Sequence, residues 1–178
     1  MPLHHYIPDH NRLIQTILAR GSNKDSQIHG IHHWMCVATI GYHLLIHDAA
    51  GDPIVVLLFA LFHDSMRVND WDDPDHGRRG GLFAHSLQGD LFTVSPDQLH
   101  LLLDACNGHT NGGTISDPTI GICWDSDRLN LWRIRRRPAP YYLSTAAARQ
   151  YSTIEWAKEI QMQHHNWETI FSLFDSLS

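Results

Sequence analysis

Phe59, Ala60, Leu61 and Phe62 run directly into His63 and Asp64. An imidazole beside a carboxylate at the end of a buried apolar helix costs free energy unless something pairs with both. A divalent cation does so, accepting a ring nitrogen and a carboxylate oxygen together. Taken alone, the pair fits a polar helix end facing solvent better than a metal site. Other residues tip the balance. His29 and His33 stand four apart, on one face of the helix read there. Asp125 and Asp127 sit in the stretch Trp124 to Leu129, acidic residues set among apolar ones in a later helix. Three helices thus each supply a ligand type suited to a hard or borderline divalent ion.

The elements that must position these groups read almost entirely as helices. Asp9 to Ala19 is a short amphipathic helix stopped by Gly21. Ser26 to His47 is longer, with Ile28, Ile31, Val37, Ile40, Leu44 and Leu45 at mostly helical spacing. Gly51 and Asp52 end that region, and Pro53 opens the next helix, Ile54 to Met66, apolar nearly all round and therefore central. Residues 69–75 are acidic and contain Pro74, which predicts a loop. His76 to Phe92 returns to a helical pattern despite Gly80 and Gly81. Ser95, Pro96 and Asp97 start another helix that continues from Gln98 to Cys106. Residues 108–116 form a Gly- and Thr-rich loop, and Asp117 and Pro118 open a helix to about Trp132. Arg133 to Pro140 reads as a basic surface linker. Thr153 to Leu177 reads as one C-terminal helix. With strand signals nearly absent, the expectation is an all-α chain, a single helical bundle over residues 1–178.

Composition narrows the classes further. A length of 178 residues with 43% hydrophobic residues suits one packed domain. A formal net charge of -6 argues against a broad nucleic-acid surface, and Arg135, Arg136 and Arg137 read as a solvated run. The apolar run Ile54 to Phe62 is too short to span a bilayer, so no membrane partner is expected. Cys36, Cys106 and Cys123 form no C-x-x-C pair and read as reduced thiols. No leader pattern is visible, and the expected location is cytoplasmic. The 15 histidines prompt attention to spacing, but most read as structural. His4, His5 and His10 look like a surface cluster, as do His164 and His165. His43, His47, His85 and His100 match no ligand pattern. Nothing specifies an oligomeric state.

The ordered set His33, then His63 and Asp64, then Asp127 before Arg128 and Leu129 resembles the HD phosphohydrolase superfamily. The resemblance covers residues 28 to about 132. It implies a helical bundle around a divalent metal held by His33, His63, Asp64 and Asp127, with Asp127 preferred to Asp125. His76, in a His-x-x-x-Gly segment, and His109 resemble the added ligands of two-metal members. The Gly-Tyr-Pro signature of the cyclic-dinucleotide class is missing, and Gly108 stands where that class has a histidine. One or two ions of Mn, Fe, Zn, Co, Ni or Mg are implied.

The activity implied is hydrolysis of a small phosphorylated substrate, such as a nucleotide, by a metal-activated water. Asp64 would bind metal and orient that water. His29 would donate a hydrogen bond or a proton, and Arg67 and Arg79, with Arg78 nearby, would meet the phosphate. Asp70 or Asp72 is a candidate general acid, and Arg128 is expected to pair locally with an acidic neighbour. Two other functions fit the same residues. One is a di-iron oxygenase using His33, His63, Asp64, His76, His109 and Asp127. The other is a non-catalytic binding module with a structural metal, which would leave no open coordination position.

Overall fold

A computed structural model describes residues 1–177. In chain order its helices are α1 (Leu3–Tyr6), α2 (His10–Arg20), α3 (Ile31–His47), α4 (Pro53–Phe62), α5 (His76–Leu87), α6 (Pro96–Gly108), α7 (Pro118–Leu129), α8 (Tyr151–Ile160) and α9 (Trp167–Asp175). Two 3-10 turns, Asn130–Ile134 and Pro140–Tyr142, lie between α7 and α8. Among the described residues there is no strand, and a single bridge joins Gln88 and Phe92. The chain is therefore all-α, as its sequence predicts. None of its described helices is long and apolar enough to cross a membrane.

Local chemistry sets the helix starts. Asp52 accepts hydrogen bonds from the Ile54 and Val55 amides, and Pro53 occupies the first turn of α4. Ser95 and Gln98 form a reciprocal capping box at α6, and Asp117 accepts from the Ile120 amide at α7. Every residue of α4 from Ile54 to Phe62 is buried. This helix runs through the middle of the bundle, packed by α3, α5, α6 and α7.

Four expected boundaries shift, each for a local reason. The helix expected from Ser26 begins at Ile31, because the Ser26 hydroxyl accepts from the Ile28 and His29 amides and holds residues 26–30 in turns. The central helix ends at Phe62 rather than Met66, and His63 and Asp64 open the turns that follow. The helix from His76 stops at Leu87. Gly89 then adopts φ +85°, and the Gln88 side chain ties down both backbone groups of Val94. The expected C-terminal helix is two. Asn166 accepts from the Thr169 amide and starts α9 afresh. An unbroken helix over residues 153–177 would measure roughly 37 Å; the break lets α8 and α9 each fold back onto α3.

Gly80 has a packing reason. A Cβ there would lie 2.2 Å from the Phe62 carbonyl oxygen, so a side chain would push α5 off the end of α4. That crossing brings His76 toward the His63 and Asp64 turn.

Candidate metal centre

Six polar side chains from five elements converge at one end of α4. His33 comes from the first turn of α3, His63 and Asp64 from the turn after α4, and His76 is the first residue of α5. His109 closes α6, and Asp127 lies in the last turn of α7. His33, His63, Asp64, His76 and His109 are at most 4% exposed. Two triads have ligand atoms close enough to share an ion: His33, His63 and Asp64, and Asp64, His76 and His109.

The protonation of the four imidazoles follows from their outer partners. His33 Nδ1 lies 2.7 Å from Asn130 Oδ1, His63 Nδ1 lies 3.1 Å from the Phe59 carbonyl, and His109 Nδ1 lies 2.7 Å from the Cys106 carbonyl. His76 Nδ1 meets the Asp73 carbonyl. A carbonyl oxygen only accepts, so each Nδ1 carries the proton, and in the neutral ring each Nε2 presents a lone pair. These lone pairs face one another. His33 Nε2 and His63 Nε2 are 3.1 Å apart, and His76 Nε2 and His109 Nε2 are 2.9 Å apart. The Thr110 hydroxyl lies 3.3 Å from His76 Nε2 and 3.2 Å from His109 Nε2, but its one proton serves one of them.

Asp64 sits between the two pairs. Its Oδ2 faces His33 Nε2 at 3.6 Å and His63 Nε2 at 3.8 Å. Its Oδ1 faces His76 Nε2 at 3.1 Å and His109 Nε2 at 3.7 Å. Asp127 Oδ1 is buried without a hydrogen-bond partner, 3.3 Å from His33 Nε2. Lone pairs and carboxylate oxygens pressed together in a buried site repel unless a cation lies among them. The donor set of imidazole nitrogens and carboxylates fits a divalent ion, and the cluster can hold one.

Electrostatics agree. Burial drives the His63 ring down to about 3 and also lowers His33, with Arg133 adding to the latter effect. Both are neutral near pH 7. Burial alone would raise Asp64, but His63, His109 and His76 outweigh it and hold the carboxyl well below its usual value. Asp127 is likewise lowered, because His33 and Arg133 overcome its burial. His109 moves the other way: burial would lower it, yet Asp64 and Asp127 hold it above the usual value. A proton is therefore the natural competitor for a cation at His109 Nε2.

The surrounding residues divide into those the sequence pointed to and those it hid. Asp125 accepts from the Ser144 and Thr145 amides and the Thr145 hydroxyl, so it anchors a later segment and leaves the cluster to Asp127. Arg67 reaches the cluster. Its Nη1 lies 3.1 and 2.9 Å from the two ring nitrogens of His76 and 3.5 Å from Asp64 Oδ1. A point nearly equidistant from both nitrogens lies over the ring face, so this is a stacking contact that leaves the in-plane Nε2 lone pair available.

Several expectations need correction. Arg79 does not line the pocket over the cluster. It clamps both oxygens of Asp73 and donates to the Met66 carbonyl, which fastens the 66–75 loop. Arg78 pairs loosely with Asp75 on the surface, and Asp72 is exposed. His29 is not on a helix face with His33, because it precedes α3. Turns bring it there instead, with the two rings 6.3 Å apart, and its Nδ1 meets Asp70 Oδ1 at 3.0 Å. Arg128 donates to the carbonyls of Gly112, Gly113 and Tyr142 rather than to an acidic neighbour. The expected linker at 133–140 is no free surface strand. Arg133 donates to the Ile28 and Asn130 carbonyls and comes within 3.5 Å of Asp127.

Sequence reasoning missed Asn130 and Gln161. Asn130 Nδ2 donates to Gln161 Oε1 at 2.9 Å, which turns Asn130 Oδ1 toward His33. The visible signal was an amide three residues after Asp127; nothing in the chain marks Gln161 as its partner.

A pocket of about 570 Å³ opens over the cluster. Asp64, His109 and Asp127 are among the residues lining it, with His29, Arg67, Arg136 and Tyr141. No family model, curated protein or solved structure matches the chain.

Proposed function

We propose that this chain is a metal-dependent phosphohydrolase of the HD type, acting on a small phosphate ester through a metal-activated water. The observation that carries this reading is the division of Asp64, each oxygen turned to its own pair of imidazole Nε2 atoms. In this reading His33, His63, Asp64 and Asp127 hold one divalent ion, and Asp64, His76 and His109 hold a second. Such ions lower the pKa of bound water and neutralise charge on a phosphoryl group. Mn, Fe, Zn, Co, Ni and Mg all accept the donor set in some measure.

The chain's own residues do the rest. Arg67 Nε and Nη2 donate to the Asn69 and Trp71 carbonyls, and Nη1 lies against His76 and Asp64, so the guanidinium is held in the pocket lining as a fixed positive charge for a phosphoryl group. His29 holds its Nδ1 proton toward Asp70, which leaves Nε2 as the atom that takes up or gives a proton. Asp70 also accepts from Asn23 and Ser26 and so fixes His29 in place. Asp70 thus orients a proton carrier rather than acting as the acid itself.

A di-iron oxygenase would use the same ligands. The arginines that line the pocket favour a phosphorylated substrate, and with it the hydrolase. The test is turnover of phosphomonoesters by protein loaded in turn with each metal, alongside elemental analysis. We expect activity that chelation removes, about two ions per chain, and one ion in His109→Ala. Asp64→Asn is expected to lose at least about 100-fold in rate. Full activity in Asp64→Asn, or oxygen consumption with no phosphate release, refutes the reading.

A further inference from the structure

The pocket over the cluster is larger than a phosphoryl group needs. Its volume of about 570 Å³ falls in the range of roughly 300–1,000 Å³ that takes a whole small molecule. Its charge is as telling as its size. Arg67, Arg128, Arg133, Arg136 and Arg137 all line it, in a chain whose net charge is -6.

Four of these guanidinium groups are already engaged. Arg67 is held by the Asn69 and Trp71 carbonyls, Arg128 by three backbone carbonyls, and Arg133 by Ile28, Asn130 and Asp127. Arg137 pairs with Glu155 at 3.2 Å and lies over the Tyr151 ring. Arg136 differs. Its backbone amide donates to the Leu131 carbonyl, but among the described residues its guanidinium has no carboxylate or carbonyl partner.

The arm that carries Arg136 is firmly built. Arg135 adopts the left-handed conformation at φ +59°, and its amide closes onto Trp132, which turns the chain sharply just before Arg136. Pro138 and Leu143 are buried, and Arg128 holds the Tyr142 carbonyl. Tyr141 and Tyr142, with ring centroids 4.2 Å apart, complete this wall.

We propose that Arg136 is the docking point for a second phosphate, so that the substrate is a bisphosphorylated small molecule with one phosphoryl group at the metal cluster and the other at Arg136. The identity of the reacting end rests on the phosphohydrolase reading; the second docking point does not. An exposed guanidinium without a partner, carried on a backbone segment braced by its neighbours, suits bidentate recognition of a phosphate dianion.

The test uses the metal-loaded full chain and its Arg136→Gln variant. Sugar bisphosphates and nucleoside 3′,5′-bisphosphates are compared with their matched monophosphates, by calorimetric binding and by phosphate release. We expect at least one bisphosphate to bind at least tenfold tighter than its monophosphate. Arg136→Gln should reduce that preference to within about twofold and leave the melting temperature unchanged. Absence of the preference across the panel, or its persistence in Arg136→Gln, overturns the proposal. Preference for a bisphosphate without phosphate release sustains the docking point and removes the hydrolase reading. Phosphate release without preference does the reverse.

Discussion

Asn130 shows how much a single buried amide decides at this site. Its Oδ1 faces His33 Nδ1, and its Nδ2 is spent on Gln161, so the amide cannot turn over without losing both bonds. That fixes the His33 proton on the outer nitrogen and aims the inner lone pair into the cluster. Asn130→Ala is therefore expected to weaken metal binding about 10–100-fold. Asn130→Asp keeps an acceptor for His33 and is expected to retain most of the affinity. Competitive chelator titration of both variants checks this, and equal affinity in Asn130→Ala and wild type would show that Asn130 merely fills space. At this scale the sequence was explicit about candidate ligands, because His33, His63, Asp64, Asp127, His76 and His109 are of the types that bind metals. It was silent about orientation, since a residue's outer partner comes from a distant part of the chain.

Among the elements, the 66–75 loop carries Arg67 to His76 and depends on the Asp73 and Arg79 clamp. Burial would raise the Asp73 carboxyl, but Arg79 and the Val68 amide hold it below its usual value. A carboxyl depressed in the folded state contributes stability that is present above the unfolded value near 3.8 and lost as pH falls through the lower folded value. Arg79→Gln is expected to cost about 1–2 kcal/mol at pH 7, since Arg79 is partly solvated. The difference from wild type should shrink as the pH drops below the carboxylate range. Urea unfolding at a series of pH values reads this directly, and a constant difference would rule out the clamp as its source. Element types were readable from apolar spacing and caps, as at Asp52, Ser95 and Asp117. Element ends were not. Ser26 diverts its hydroxyl to the backbone, Gly89 turns with positive φ, and Asn166 restarts a helix, all choices made among competing local hydrogen bonds.

For the whole molecule, the cluster joins α3, α4, α5, α6 and α7 at one end of the bundle. A cation bound there stabilises the native state by linkage, about 2.7 kcal/mol at a hundredfold excess over its dissociation constant. Chelation should therefore lower the melting temperature by several degrees, with full recovery on adding back Mn²⁺ or Zn²⁺. A melting temperature indifferent to chelator would count against a site closed around an ion. What the sequence determined by itself is an all-α chain with a buried central helix and a set of side chains of metal-binding type in order, because apolar periodicity and residue type are local properties. The tertiary structure alone decided that Asp64 divides its oxygens between two imidazole pairs, that Arg79 leaves the site, and that Arg136 enters its wall. Those outcomes depend on which distant backbone carbonyls and carboxylates reach each side chain first, and only the packed bundle sets those distances.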